Sequence, residues 1–306
     1  MKKIIFSLLF LFIINIVYAS PSQSAEKSTS NSKTVNLASV SSIIVDLKKN
    51  SVLFEKNSNI VMPIASITKL MTAMVILDSK LSLKEKIRFT KEDKKSINNY
   101  YSRIRIGSEL SRGDVLRIAL MSSENLASSA LGRTYPGGSS AFVKAMNKKA
   151  KALGMKQTYF VNSTGLSEEN VSTAADLAKM LAAATKYSLI KEYSTTKVYT
   201  ARFKRPRYVL GYTNTNVLVR GGHKDVKLSK TGYLDEAGRC LVMLRKIGNK
   251  DVIMVFLDSF GKRSPIGDAN RVKKWLQTGN QGRVAKSASN YERIKLAFYS
   301  RDNQYQ

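Results

Sequence analysis

Ser66 and Lys69 stand three residues apart in the run Ile64-Ala65-Ser66-Ile67-Thr68-Lys69-Leu70. On a helix that spacing is roughly one turn, which puts a hydroxyl and an amine on one face within reach of each other. A hydroxyl attacks an acyl carbon only when a base takes its proton, and a partly neutral lysine can be that base. The spacing selects nothing by itself, because Ser-x-x-Lys recurs at Ser24, Ser30, Ser188, Ser194 and Ser259 in a chain with 51 Lys plus Arg. What distinguishes Ser66 is its context. Pro63 precedes it, and Leu70, Ala73, Met74 and Leu77 follow at helical spacing, so the serine is expected at a helix N-terminus, where free N–H groups favour negative charge.

The elements that must hold such a pair can be read in order. Ser41–Asp46 and Ser51–Glu55 are strand-like runs joined through Lys48-Lys49-Asn50, which predicts a hairpin. The helix from Ser66 to about Ser79 comes next, then a charged stretch to about Ser108. Gly113-Asp114 opens a helix apolar enough to be buried on most sides, ending in Ser122-Ser123-Glu124-Asn125 before the alanine-rich segment Leu126 to Leu131. Helices are also predicted over Ser139–Leu153 and from Ser172 or Thr173 to about Lys186. The second half changes period: Val198–Phe203, Tyr208–Val219, Val226–Lys230, Gly238–Arg245 and Val252–Leu257 read as strands, closed by an amphipathic helix over Asp268–Leu276 with Trp275 on its apolar side. The expected class is therefore α+β: an antiparallel sheet that joins the first and last strands, flanked by a helical block.

The N-terminus carries Lys2 and Lys3, an apolar run from Ile4 to Val17, and small residues around Ala19, the pattern of a secretory signal cleaved after Ala19. Residues 20–35 then read as a flexible linker, 36–279 as one domain and 280–306 as a basic, polar tail. Export takes the protein out of the cytoplasm, and with Cys240 the only cysteine no intramolecular disulfide can form. Cys240 sits in an apolar run and is expected to be a core residue. The net charge of +29 is spread along the whole chain without an aromatic-interleaved basic module, so a nucleic-acid partner is not expected. It suits an anionic envelope instead, either carboxylate-bearing wall peptides or peripheral contact with acidic lipid headgroups. A lysine-rich proteome would produce the same balance. No Cys-x-x-Cys or His-Glu-x-x-His spacing occurs, so neither a metal nor another cofactor is called for. The sole histidine, His223, lies in the turn-like Gly221-Gly222-His223-Lys224-Asp225 with no Gly-x-Ser-x-Gly elbow in the chain, which argues against a histidine triad.

Two short motifs complete the constellation. Ser123-Glu124-Asn125 falls at the end of the predicted buried helix, and Lys230-Thr231-Gly232, the only Lys-Thr-Gly, at the end of a predicted strand. Ser96-Ile97-Asn98 also has the Ser-x-Asn form, but in a charged stretch. The order Ser-x-x-Lys, Ser-x-Asn, Lys-Thr-Gly resembles the active-site set of penicillin-binding proteins and serine β-lactamases. Ile64 to Ala73, Leu120 to Asn125, Tyr135-Pro136-Gly137-Gly138 and Ser163-Thr164-Gly165-Leu166 resemble the low-molecular-mass D,D-peptidases of serine peptidase family S11, and Arg103 to Gly107 resembles their endopeptidase members.

This resemblance implies a β-lactamase/transpeptidase-like fold over about residues 38–279. Ser66 would be the nucleophile and Lys69 the general base, its pKa depressed by partial burial and by the like charge of Lys230. Ser123 would relay the proton to the leaving nitrogen. Asn125, Lys230, Thr231 and Gly232 would bind substrate, and the backbone N–H groups of Ser66 and Tyr233 would form the oxyanion hole. The implied partners are peptidoglycan stem peptides, with β-lactams as covalent inhibitors. Too few residues follow the domain for the β-rich second domain and amphipathic anchor that related carboxypeptidases append, which favours an endopeptidase over a D-alanyl-D-alanine carboxypeptidase. A β-lactamase would need an acidic deacylation helper, for which Glu168-Glu169-Asn170 lies in the right interval. A wall-binding protein with a vestigial site is the non-enzymatic alternative.

Overall fold

The computed structural model describes residues 34–98 and 100–302. The signal peptide expected at 1–19 and nearly all of the linker expected at 20–35 lie outside the described residues. The first half of the chain runs β1 (Ser39–Asp46), β2 (Ser51–Lys56), β3 (Met62–Pro63), a 3-10 turn at Ala65–Ile67, α1 (Thr68–Asp78), β4 (Lys86–Arg88), α2 (Lys91–Ser96), β5 (Glu109–Ser111), α3 (Arg112–Met121), α4 (Asn125–Arg133) and α5 (Gly138–Ala152). The second half runs β6 (Val171–Ser172), α6 (Ala174–Ala184), α7 (Ser188–Ser194), β7 (Val198–Phe203), β8 (Tyr208–Thr213), α8 (Val217–Arg220), β9 (Val226–Leu234), β10 (Gly238–Ile247), β11 (Lys250–Ser259), α9 (Ser264–Thr278) and α10 (Lys286–Asp302).

The main sheet has the order β2-β1-β11-β10-β9 with antiparallel pairing throughout, so the first hairpin and the last strands do share one sheet. Both of its faces are buried. Ile43, Val242, Leu244, Ile253 and Val255 join the core shared with the helical block, while Ile44, Leu241, Met243, Met254 and Phe256 join a second core under α9. A strand covered on two sides needs apolar residues at successive positions, which is why β10 and β11 read as continuous hydrophobic runs. Trp275 packs edge-on against Phe54 in the second core, at 6.3 Å between centroids. Cys240 is buried, as its apolar surroundings predict.

The helices begin where local chemistry supplies acceptors for their free N–H groups. Ser111 caps α3 through the Asp114 N–H, Thr173 caps α6 through the Asp176 N–H, and Glu124 caps α4 through the Leu126 N–H. Gly279, in the left-handed region at φ 70°, ends α9.

Three expectations need correction. The strand predicted over Tyr208–Val219 stops at Thr213, because Asn214 donates to the carbonyls of Ser194 and Thr196 and turns the chain into α8, which Asn216 caps by accepting from the Leu218 N–H. β7 and β8 form a separate hairpin outside the main sheet. The polar tail expected from 280 instead contains α10, which packs on β1. Its spaced Ala288, Tyr291 and Tyr299 supply a contact face too sparse to stand out among the charged residues around it. Among the described residues no helix is long and apolar enough to cross a membrane.

Candidate active site

The chain enters the site strained. Ala65, fully buried, has φ 46°, a conformation non-glycine residues rarely adopt, and it sets Ser66 in the short 3-10 turn just ahead of α1. The serine thus stands at the N-terminus of α1 as expected, two residues ahead of its first α-helical residue. Two glycines make room for this turn. A Cβ on Gly165, at φ +78°, would lie 2.0 Å from the Ala65 carbonyl oxygen, and one on Gly232 would lie 3.2 Å from the Ser66 nitrogen. Only residues without side chains let the 163–166 loop and strand β9 close on Ser66 from two sides.

Lys69 comes from the first turn of α1 and is 1% exposed. Its Nζ is 2.8 Å from Ser66 Oγ, 2.8 Å from Asn125 Oδ1 and 2.5 Å from the Thr164 carbonyl. Asn125 opens α4. The Thr164 carbonyl is aimed by Asn162, whose Oδ1 accepts from the backbone N–H groups of Thr164 and Gly165, the Thr164 hydroxyl and the Asn170 amide. A neutral amine has two N–H donors and one lone pair. Satisfying Asn125 and Thr164 with the donors leaves the lone pair directed at Ser66 Oγ. Burial pulls the Lys69 pKa down to about 7, while the charge of Glu124 acts in the opposite direction.

The second half of the site centres on Lys230, also 1% exposed, on β9. Its Nζ donates to Ser123 Oγ at 2.9 Å and to the Thr231 carbonyl at 2.7 Å. Ser123 sits in the left-handed region at φ 61° between α3 and α4, which directs its hydroxyl across to β9. Burial, and then the charge of Lys69, hold Lys230 well below the ordinary lysine range. Burial is the largest cause for both lysines. Thr231 donates its hydroxyl to Thr215 at 2.7 Å. Ser66, Ser123, Asn125, Thr231, Gly232 and Tyr233 all border one cleft of about 870 Å³, at the floor of which Lys69 and Lys230 are buried.

All the residues singled out from sequence thus meet in one place. Thr164, Asn162, Thr215 and Gly165 were missed as site residues: a backbone carbonyl has no sequence signature, although Ser163-Thr164-Gly165-Leu166 stood out as a phrase. Glu168 and Glu169 are exposed, and Asn170 is a buried strut whose Oδ1 accepts from the Val161 N–H. His223 is exposed and lies 3.8 Å from Asp225, in the turn its neighbours predict.

A buried lysine beside a serine, joined across a cleft to a second lysine–serine pair, can acylate and deacylate a hydroxyl. Residues 26–261 match the family described as Peptidase_S11, D-alanyl-D-alanine carboxypeptidase. The chain belongs to peptidase family S11. Among its S11 relatives, a D-alanyl-D-alanine endopeptidase of Pseudomonas aeruginosa is 45% identical over 291 residues, covering 95% of this chain and 94% of that protein. The Streptomyces K15 DD-transpeptidase superposes with a TM-score of 0.74 at 27% identity, over 79% of this chain and 98% of its own. Penicillin-binding protein D2 of Listeria monocytogenes, solved in an ampicillin-bound form, superposes at 0.67 with 28% identity, over 79% and 98%. These likenesses bear out the β-lactamase/transpeptidase-like fold that the ordered motifs imply.

Proposed function

We propose that this protein is a periplasmic serine D,D-peptidase of peptidoglycan, acting chiefly as an endopeptidase on D-alanyl cross-links. The observation that carries the reading is the Lys69 amine, 2.8 Å from Ser66 Oγ, with its other two directions taken by fixed acceptors. Lys69 takes the Ser66 proton as Oγ attacks the carbonyl carbon of the D-alanyl residue. The oxyanion that forms is held by the N–H groups of Ser66 and Tyr233. The proton passes through Ser123, oriented by Lys230, to the leaving amine as the C–N bond breaks. Water, deprotonated by the same route in reverse, then attacks the Ser66 ester and frees the carboxylate.

Strand β9 is the last in the sheet, so along Thr231–Tyr233 an extended peptide can lie beside it in the cleft, with Asn125 on the opposite wall and Lys230 and Thr231 reading the carboxylate end. A β-lactam presents the same carbonyl with a tethered leaving nitrogen, and it would remain as an ester on Ser66. The 45% identity to an endopeptidase over nearly the whole chain supports cross-links as the substrate. The exposed positions of Glu168 and Glu169 argue against rapid deacylation of the β-lactamase kind.

Incubation of the purified protein with cross-linked muropeptide dimers tests the reading. Conversion of dimers to monomers is the expected result. Release of terminal D-alanine with dimers left intact would favour the carboxypeptidase alternative that the family description names.

A further inference from the structure

The cleft wall formed by β9 ends in the turn to β10, and something beyond the sheet holds that turn. Asp258, near the end of β11, is fully buried and has φ 50°. Its carboxylate accepts from Tyr291 Oη at 2.5 Å and from Tyr299 Oη at 2.8 Å, and Lys295 Nζ lies 3.3 Å away. All three partners belong to α10. On its other side the carboxylate abuts Gly238, the first residue of β10: a Cβ there would lie 2.2 Å from Asp258 Oδ1. Lys295 also donates to the Glu236 carbonyl inside the turn, at 3.3 Å. Arg239, next along β10, pairs with Tyr233 and lays its guanidinium over the Tyr233 ring at 3.5 Å. At the far side of the helix, Glu292 is 3.0 Å from Lys56 of β2.

These contacts form one continuous path from the C-terminal helix to the strand segment that faces Ser66. A carboxylate with no access to water is expensive to leave unpaired, so the two tyrosines and the lysine make docking of α10 the condition for Asp258 to occupy its place. The placed carboxylate packs directly on Gly238, where it leaves no room for a Cβ, and Gly238 and Arg239 set the pairing of Leu234 and Tyr233. The oxyanion donor at Tyr233 is useful only if its position is held to a fraction of an ångström.

We propose that α10 is a positioning element of the active site, which through Tyr291, Tyr299 and Lys295 on Asp258 locks the β9–β10 turn and so aligns the Tyr233 backbone with Ser66. The proposal rests on the Ser66 acylation read above. Its test is the rate of covalent labelling of Ser66 by a fluorescent penicillin, measured at saturation and at low probe concentration, well below the thermal midpoint of each variant.

The double variant Tyr291→Phe/Tyr299→Phe is expected to slow the saturating acylation rate by about 10-fold, with a smaller change in apparent affinity. Lys295→Met, which leaves both tyrosines in place, is expected to slow it by about 3-fold. Lys56→Gln, which loosens the helix at the β2 side, leaves the rate at the wild-type value. If the tyrosine pair merely stabilises the fold, the midpoint falls while the folded enzyme labels at the wild-type rate, and the proposal is overturned. Equal slowing in Lys56→Gln, which leaves every Asp258 contact in place, would also overturn it, by tracing the effect away from Asp258. Failure of the wild type to label at all would refute the acylation reading instead, and so is distinguishable from either outcome.

Discussion

The two walls of the cleft are built on different plans. On the helical wall, Ser66, Lys69 and Asn125 come from the starts of helices, and the reactive amine lies within 2.8 Å of three oxygens, two of them fixed acceptors and the third the Ser66 hydroxyl. On the sheet wall, Thr231, Gly232 and Tyr233 lie on the edge strand, and the Tyr233 side chain is 48% exposed. Edge-strand groups are an open template, which suits a wall that must accept an extended peptide but makes its position depend on distant supports. Those supports are Thr215 behind Thr231, Ser123 on Lys230, and α10 on the turn beyond Tyr233. On the proposed reading, chemistry is packed into the interior and recognition is placed at an edge and braced.

The strongest way to break the comparison is to empty the helical wall. Ser66→Ala is expected to abolish covalent penicillin labelling and to reduce muropeptide cleavage by about 10⁴-fold or more, with the thermal midpoint nearly unchanged. Residual labelling would place the nucleophile elsewhere. Gly165→Ala attacks the scaffold of the same wall: with the new Cβ only 2.0 Å from the Ala65 carbonyl, the loop must retreat and take the Thr164 acceptor with it. A loss of about 2–4 kcal/mol in chemical denaturation is expected, with slower acylation in the protein that still folds.

Gly232→Ala tests the junction of the walls. Its Cβ would meet the Ile64 carbonyl at 3.1 Å and the Ser66 nitrogen at 3.2 Å, a misfit of a few tenths of an ångström. Acylation is expected to slow by about 10-fold at nearly constant stability, as stopped-flow labelling and thermal melts would show. Above its pKa of about 7 the Lys69 amine is neutral and can accept the Ser66 proton, so the acylation rate should rise with pH through that value on its acid limb. Glu124→Gln keeps an oxygen for the Leu126 N–H but removes the negative charge that favours protonated Lys69. The acid limb should move to lower pH, the smallest of the four effects; a move to higher pH would contradict the assigned base.

The positions legible in sequence were those whose geometry is local. A serine and a lysine three apart, a capping cluster at a helix end and a Lys-Thr-Gly in an apolar strand are visible because helix and strand periods are short. What locality did not show was the form of the entry: Ser66 lies in a 3-10 turn that leads into α1, with β9 and the 163–166 loop packed closely against it. The strand predicted over Tyr208–Val219 ended early because Asn214 found one acceptor on the last residue of α7 and another just past it, and the apolar pattern did not reveal that short helix.

By itself, then, the sequence determined the order of the motifs, the strand character of the late segments and the pairing of nucleophile with base, all of which follow from spacings of a few residues. Tertiary structure alone decided that Lys69 meets the carbonyl of Thr164, 95 residues further along, and that its pKa falls to about 7. It also decided that a basic C-terminal segment becomes a helix braced on Asp258. The reason is physical: the loss of solvent around a charge, and the direction of a backbone carbonyl, depend on everything packed nearby, and no stretch of chain contains its own surroundings.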